Sequence, residues 1–139
     1  LFGFDPKVAF VSHSTFGQPL TSRTKHIRNA VDILKEKKVD FEFDGDMQPD
    51  VALNPEYRDL YPFSKIVGKA NILIMPGQHS AAISYKMMKT FGDTKVIGPL
   101  LIGLGLPIEI APLRSSTSEL INLASIAAYS ADVIDYKKY

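Results

Sequence analysis

An acidic turn, with the carboxylates of Asp44 and Asp46 and the amide of Gln48, follows a predicted strand in the first half of the chain. The alternation of apolar and polar residues over 41–43 predicts that strand, and the residues after it are typical of a turn. Two carboxylates at this place could transfer a proton or bind a metal ion. The alternative is an acidic turn held by an Asx-type backbone hydrogen bond, which the spacing alone favours.

A second polar group, Ser14-Thr15-Phe16-Gly17, follows the apolar run K-V-A-F-V-S. Hydroxyls, backbone amides and a permissive glycine between a strand and a helix suit an anionic or phosphate-bearing ligand. An ordinary strand-to-helix loop has the same composition, so the motif alone leaves both interpretations open. The chain contains neither G-x-x-x-x-G-K-[ST] nor G-x-G-x-x-G, so it has no P-loop and no standard dinucleotide fingerprint.

The three histidines, His13, His26 and His79, do not have the spacing of metal ligands. His26 falls in an amphipathic helical pattern, where a surface position is the ordinary interpretation. His13 and His79 both follow predicted strands and could converge on one edge of a sheet, with a catalytic or ligand-binding role as the alternative to a plain loop position.

Apolar runs and periodicity predict the elements that must position these groups. Strands are predicted at residues 7–12, 40–44, 70–75, 94–98 and 107–111, and helices at 21–37, at 79–91 and from 116 to about 129, with two short helices near 51–54 and 56–60. Strands that alternate with helices predict an α/β fold in three layers, α/β/α, with a mostly parallel sheet.

The last predicted helix differs from the others because it is apolar on nearly all sides. Ser116 and Glu119 have the spacing of a capping box at its start. A helix of this kind must be covered on more than one face. We therefore expect residues 113–139 to pack on a partner domain or subunit, residues 1–112 to form one α/β subdomain, and the protein to be a homo-oligomer.

The composition excludes several classes of protein. The 139 residues are 45% hydrophobic, and 16 basic against 15 acidic residues give a net charge of +1, which argues against binding nucleic acid through bulk charge. The absence of cysteine excludes disulfides and thiolate metal sites. Apolar runs are too short to span a bilayer and no signal peptide is seen, so we expect a cytoplasmic protein. The start at Leu1 suggests a piece of a longer chain.

Several motifs together resemble the phosphotransacetylase family. They are S-T-F-G at 14–17, P-G-Q-H-S at 76–80 and V-I-G-P-L-L-I-G-L at 96–104. The run from D-G-D-M-Q-P-D-V-A-L-N-P-E through L-Y-P-F-S is similar to the phosphotransacetylase-like domain at the carboxyl end of bacterial NADP-dependent malic enzymes. The resemblance extends from Lys7 to about Tyr129 and implies a fragment of the isocitrate/isopropylmalate dehydrogenase-like fold, phosphotransacetylase type.

The resemblance also implies a set of residues that bind acetyl-CoA or phosphate. The set is Ser14, Thr15, Gly17, Tyr85, Lys86, Gly98, Pro99 and Arg114. Each has an ordinary alternative: a helical tyrosine beside a lysine is usually an interface residue and a solvated charge, and a Gly-Pro pair is what a tight turn requires.

The chain departs from the family where active phosphotransacetylases carry a serine and an arginine that help to activate the CoA thiol and hold phosphate. Aligned without gaps, Pro112 and Leu113 replace that pair, Arg114 comes one residue late, and Glu119 stands where an aspartate is expected. Proline and leucine can neither accept a proton nor bind an oxyanion. We therefore expect no catalytic residue and no metal ligand in this chain.

The resemblance implies a regulatory domain that senses acetyl-CoA or a related CoA ester and supports oligomerisation. The parent malic enzyme would convert malate and NADP to pyruvate, CO2 and NADPH with Mg or Mn, using a catalytic portion elsewhere in the same chain. One alternative is an active phosphate acetyltransferase, which converts acetyl phosphate and CoA to acetyl-CoA and phosphate. Another is a purely structural dimerisation unit with an empty cleft. Neither nucleic acid nor membrane is an expected partner.

Overall fold

The computed structural model describes residues 3–93 and 95–133, which form two compact units, 3–87 and 88–133. The elements in chain order are β1 (Lys7–Val11), α1 (Ser22–Lys37), β2 (Glu42–Met47), α2 (Pro49–Leu53), α3 (Pro55–Arg58), β3 (Ile72–Ile74), α4 (Gln78–Phe91) and α5 (Thr117–Val133). The division predicted at residue 112 stays a prediction, and residues 134–139 of its second part lie outside the described residues.

The three strands form one parallel sheet in the order β2-β1-β3, which confirms the predicted α/β class with a parallel sheet. The chain moves from β1 to β2 on one side through α1, and β3 then pairs with the other side of β1. In α/β sheets the point where the strand order reverses opens a crevice at the carboxyl ends of the strands. That point lies here between β1 and β3.

The core of the first unit is small and sits beside the central strand. Its buried members are Ala9, Met47, Val51, Ala52, Ile66 and Ala70. Phe16, Tyr61 and Leu73 pack against them from the edge. Helix α2 contacts β1, and helix α1 contacts β2. The amphipathic pattern predicted for α1 agrees with its packing, because Val31 is buried and the charged residues of the helix are exposed.

β2 extends three residues beyond the predicted end at Asp44, and it contains a bulge. Phe10 is paired with Gly45 and Val11 with Met47, so Asp46 has no partner residue in β1. A bulge of this kind turns the extra side chain away from the regular alternation. Gly45 makes the close approach possible, because its φ is +151° and a Cβ there would lie 2.7 Å from both Cβ and O of Phe10.

Helices α1 and α5 each begin with a capping box. At α5 the amide of Ser116 donates to Glu119 Oε2 at 2.7 Å and the amide of Glu119 donates to Ser116 Oγ at 3.3 Å, which confirms the predicted capping box. Helix α1 has an unpredicted box between Thr21 and Thr24. In the part of the chain that the structure describes, no helix combines the length and apolarity needed to cross a bilayer.

The prediction of strands at 94–98 and 107–111 is wrong. Thr94 lies outside the described residues, and residues 95–116 contain no strand. A strand needs a continuous row of backbone donors and a neighbour to pair with. Pro99, Pro107 and Pro112 remove amides from this segment, and its glycines favour turns, so the apolar run alone does not make a strand.

We expect Gly45→Ala to lower the free energy of unfolding by about 1–3 kcal/mol, because the new methyl group would overlap Phe10 and the positive φ would be strained. Urea unfolding followed by circular dichroism measures the change. The control is Gly105→Ala, where no atom lies within 4 Å of the new Cβ. Equal stabilities for the two variants would contradict this account of the bulge.

Candidate functional site

A cavity of about 770 Å³ opens at the carboxyl ends of β1 and β3, where the strand order reverses. Its lining comprises residues 11–13 at the end of β1, residues 75–80 after β3, Pro49 at the start of α2 and four residues of α1, namely Ser22, Arg23, His26 and Ile27. All of these residues belong to the unit 3–87. The position is the one where ligands bind in open α/β sheets.

All three histidines of the chain line this cavity. The expected convergence of His13 and His79 on one edge of the sheet is confirmed. His26 was expected to be an ordinary surface residue; it is exposed, and it also lines the cavity together with Arg23, three residues earlier in α1. Arg23 was not predicted. The sequence feature that could have identified Arg23 and His26 is their position in the first turns of a helix that follows the end of a strand.

The loop after β1 is attached to β2 through Ser14 and Asp46, which are both fully buried. The hydroxyl of Ser14 donates to Asp46 Oδ2, and the amide of Phe16 donates to the carbonyl of Asp46 at 2.6 Å. The bulge in β2 explains why Asp46 can reach this loop. Asp46 Oδ1 is also buried and has no hydrogen-bond partner in the described part of the chain.

Thr15 and Gln48 make a second connection between the same two segments. The amide of Gln48 donates to Thr15 Oγ1 at 3.3 Å, and Gln48 Nε2 donates to the carbonyl of His13 at 3.1 Å. These contacts hold the backbone of His13 while its side chain remains exposed. Neither Ser14 nor Thr15 lines the cavity, and their role as direct ligand contacts stays a prediction.

Gly17 closes the same loop against α1. Its φ is +85°, and Arg28 Nη1 donates to the carbonyl of Phe16 at 3.1 Å. A Cβ at Gly17 would overlap the guanidinium of Arg28. The loop is thus held by β2 on one side and by α1 on the other.

The carboxylate of Asp44 accepts hydrogen bonds from the backbone of its own fold. Its Oδ1 accepts from the amide of Gly45 at 2.9 Å and its Oδ2 accepts from the amide of Lys65 at 2.7 Å. This agrees with the acidic-turn interpretation. Among residues 3–93 and 95–133, no group of three or more histidine, cysteine or acidic side chains could hold a metal ion.

The other predicted ligand residues lie outside the cavity lining. Tyr85 and Lys86 are in α4, about 10 Å along the helix from Gln78. Gly98, Pro99 and Arg114 belong to the unit 88–133, where Arg114 is exposed. The predicted ligand residues thus belong to two compact units, and a common ligand site for them stays a prediction.

Pro112 and Leu113 occupy an exposed turn before α5, and Leu113 is fully exposed. In the same unit, hydrogen bonds from Lys89, then from the amide and the hydroxyl of Ser116, lower the pKa of Glu119 from its ordinary value of 4.5 to about 2. Glu119, at the position where an aspartate is expected, therefore has a charged structural role at the start of α5.

Comparisons with known proteins agree on one family. The sequence pattern of the phosphate acetyl/butaryl transferase family matches residues 1–128. An NADP-dependent malic enzyme of Rhizobium meliloti (strain 1021) is 50% identical over 129 residues, which are 93% of this chain and 17% of that protein. A phosphate acetyltransferase of Clostridium acetobutylicum is 33% identical over 132 residues, 94% of this chain and 40% of that protein.

Solved structures agree in fold. A phosphotransacetylase from Streptococcus pyogenes superimposes with a TM-score of 0.85 at 34% identity, over 93% of this chain and 40% of the other. The EutD phosphotransacetylase from Staphylococcus aureus has a TM-score of 0.83 at 32% identity, over 94% of this chain and 41% of that protein. The chain thus spans less than half of each of these relatives.

We expect Ser14→Ala to lower the free energy of unfolding by about 1–3 kcal/mol, because the buried carboxylate of Asp46 would lose its hydroxyl donor. Urea denaturation measures the loss. The matched control is Ser125→Ala on the exposed side of α5, which should leave stability within about 0.5 kcal/mol of the unchanged protein. A loss no larger than the control's would show that the contact does not stabilise the loop.

The lowered pKa of Glu119 predicts a pH dependence with a defined sign. Its contribution to stability is present above pH 4.5, where the unfolded carboxyl is ionised, and is lost as the pH falls toward about 2. We expect Glu119→Gln to lower the urea midpoint at pH 7. Near pH 2 the urea midpoint of the variant should approach that of the unchanged protein. Glu36→Gln, at an exposed position in α1, is the control. A Glu119→Gln deficit that persists unchanged to pH 2 would contradict the ionic origin.

Proposed function

Because the chain belongs to the phosphate acetyl/butaryl transferase family, we propose that it is the phosphotransacetylase-like regulatory domain at the carboxyl end of a malic enzyme. Its proposed role is to sense acetyl-CoA or a related CoA ester and to support oligomerisation. The 50% identity to an NADP-dependent malic enzyme, of which the chain covers 17%, supports this assignment within the family. A cytoplasmic location is part of the same proposal.

The observation that carries the regulatory assignment is the chemistry of residues 112–114. Pro112 and Leu113 offer no group that could remove a proton from a thiol or hold a phosphate. A domain that has lost these groups can still recognise a ligand, because recognition needs shape and charge and does not need a general base. The cavity at the strand ends supplies both.

The oxidation of malate with NADP and a divalent metal, Mg or Mn, is assigned in this proposal to the remainder of the parent chain. The malic enzymes of Rhizobium meliloti and Escherichia coli to which the chain is similar are NADP-dependent. The described residues contribute no metal-binding group of three or more histidine, cysteine or acidic side chains. The domain's own residues would therefore act on that reaction only through binding and conformational coupling.

Oligomerisation is proposed from the exposed apolar side chains of α5. Leu120, Ile121 and Tyr129 are each about half exposed or more, while Leu123 of the same helix is buried. An apolar helix surface of this extent is favourable only when another surface covers it. Either a second copy of the chain or the catalytic portion of the parent could supply that cover.

An active phosphate acetyltransferase is the second candidate function. The 33% identity to a phosphate acetyltransferase of Clostridium acetobutylicum favours it. In that case Arg114 would have to replace the family's arginine, and another group would have to accept the thiol proton. A thiol-coupled assay with acetyl phosphate and CoA separates the two candidates.

We expect acetyl-CoA to inhibit malate oxidation by the intact parent protein and Lys86→Ala to raise the acetyl-CoA concentration needed for half inhibition. Coupling between two sites typically changes affinity about 5- to 150-fold, which initial-rate measurements resolve easily. Lys37→Ala, at the far end of α1, is the matched control and should leave the half-inhibiting concentration unchanged. Absence of inhibition by acetyl-CoA would overturn the sensing role.

The same protein should not form acetyl-CoA from acetyl phosphate and CoA. Loss of a positioned general base typically costs about 100- to 10,000-fold in rate. Turnover of about 1 per second or more, the low end of ordinary enzymes, would favour the transferase instead.

A further inference from the structure

We propose that Ser12 is a specificity-determining residue of the cavity and that its hydroxyl oxygen receives a hydrogen-bond donor of the ligand, either an amide N–H or a hydroxyl. An oxygen without a hydrogen, as in an ester or a phosphate, is disfavoured at this place. Ser14 and Asp46 are positioning residues, because they act on the ligand through Ser12. The inference deepens the proposed function and rests on it only in taking this cavity as the ligand site.

The argument begins at the buried carboxylate of Asp46. Asp46 and Ser14 are both fully buried, and Asp46 Oδ2 accepts the hydroxyl hydrogen of Ser14. A serine hydroxyl has a single hydrogen and two lone pairs. Ser14 Oγ therefore has no hydrogen left for another partner, and toward every other neighbour it can only accept.

This contact fixes the direction of the next hydrogen bond, between Ser14 and Ser12. Their hydroxyl oxygens lie 3.4 Å apart, and either could donate if the pair were considered alone. Because the hydrogen of Ser14 Oγ is bound to Asp46, Ser12 must be the donor. The amide of Ser14 donates in turn to Ser12 Oγ at 3.2 Å. Ser12 Oγ thus gives its only hydrogen to Ser14, accepts one hydrogen bond and keeps one lone pair.

The backbone of Ser12 offers no donor to a ligand either, because its amide donates to the carbonyl of Met47 at 2.9 Å. The hydroxyl and amide donors of Ser12, and the hydroxyl and amide of Ser14, all have partners within the fold. Ser12 is nevertheless one of the residues that line the cavity. It therefore presents an acceptor without a donor at the end of β1.

The lining is polar in two opposite senses. Arg23, on the α1 side, can only donate hydrogen bonds, whereas Ser12 can only accept them from a ligand. A ligand group with an N–H or O–H satisfies the lone pair of Ser12. An oxygen without a hydrogen would meet that lone pair with its own, and the buried acceptor would stay unsatisfied, which is unfavourable. The cavity thus selects the orientation of a ligand as well as its shape.

The test compares two neutral probes of the same shape, N-benzylacetamide and benzyl acetate, which differ in one amide N–H. Both carry a ring that suits the apolar part of the lining, which includes Val11, Ile27 and Met75. We expect NMR titration of the protein, followed at the backbone amide of Ser12, to give a Kd about 2- to 10-fold lower for the amide, the effect of one neutral hydrogen bond. Equal Kd values, or no shift at Ser12 with either probe, would overturn the proposal.

Two variants separate the acceptor from its orientation. Ser12→Ala removes the acceptor and should bring the two Kd values together. Ser14→Ala leaves Ser12 in place but frees its hydroxyl hydrogen, which can then donate to the carbonyl of the ester. We therefore expect Ser14→Ala to bind the ester more tightly than the unchanged protein does, although Ser14 does not line the cavity. A purely structural role for Ser14 would instead weaken the binding of both probes.

Ser125→Ala, at an exposed position in α5, is the control and should keep the full difference between the probes. Unfolding midpoints identify a variant that fails to fold, in which case the other variant and the two probes on the unchanged protein decide. A difference that persists in folded Ser12→Ala would assign the donor preference to another residue and overturn the proposal.

The outcome is separable from that of the proposed function. If acetyl-CoA inhibits malate oxidation but the amide and the ester bind alike, the role of Ser12 fails and the sensing role stands. If Ser12→Ala abolishes a preference for the amide while acetyl-CoA leaves malate oxidation unchanged, the role of Ser12 stands and the sensing role fails.

Discussion

The buried contact between Ser14 and Asp46 is the constraint on which the edge of the sheet that carries the cavity depends. It joins the loop after the central strand to the end of β2, and both side chains are fully buried. A buried carboxylate is costly unless donors satisfy it, so the loop must remain where its hydroxyl can donate. With the loop held there, and with Gln48 bound to the carbonyl of His13, the imidazole is directed to the surface beside the cavity.

The position of the cavity follows from strand order. Because β2 and β3 lie on opposite sides of β1, the connections leave the sheet in opposite directions and a gap remains between them. Both flanking segments lead into or toward helices whose amino ends point at this gap. The topology therefore places the amino ends of two helices at this recess, and the guanidinium of Arg23 adds a positive charge beside them.

The proposed loss of transferase chemistry and the proposed retention of ligand binding are compatible because they concern residues of different units. Pro112 and Leu113, which the resemblance aligns with the family's serine and arginine, lie in residues 88–133, in an exposed turn. The cavity and the Ser14–Asp46 contact lie in residues 3–87. The residues at 112–114 are therefore not among those that line the cavity or form the Ser14–Asp46 contact.

Local periodicity and capping chemistry determined, from sequence alone, the three strands of the sheet, the amphipathic α1 and the Ser116–Glu119 box, because these depend on neighbours within a few residues. The apolar content of residues 95–98 and 107–111 led to a wrong prediction of strands, because a strand also needs a neighbouring strand to pair with, which no local pattern reveals. The bulge at Asp46 and the entry of Arg23 and His26 into the cavity were decided only by tertiary structure. Strand register and the direction in which a helix start faces the sheet are properties of packing between segments distant in sequence, so spacing along the chain could not specify them.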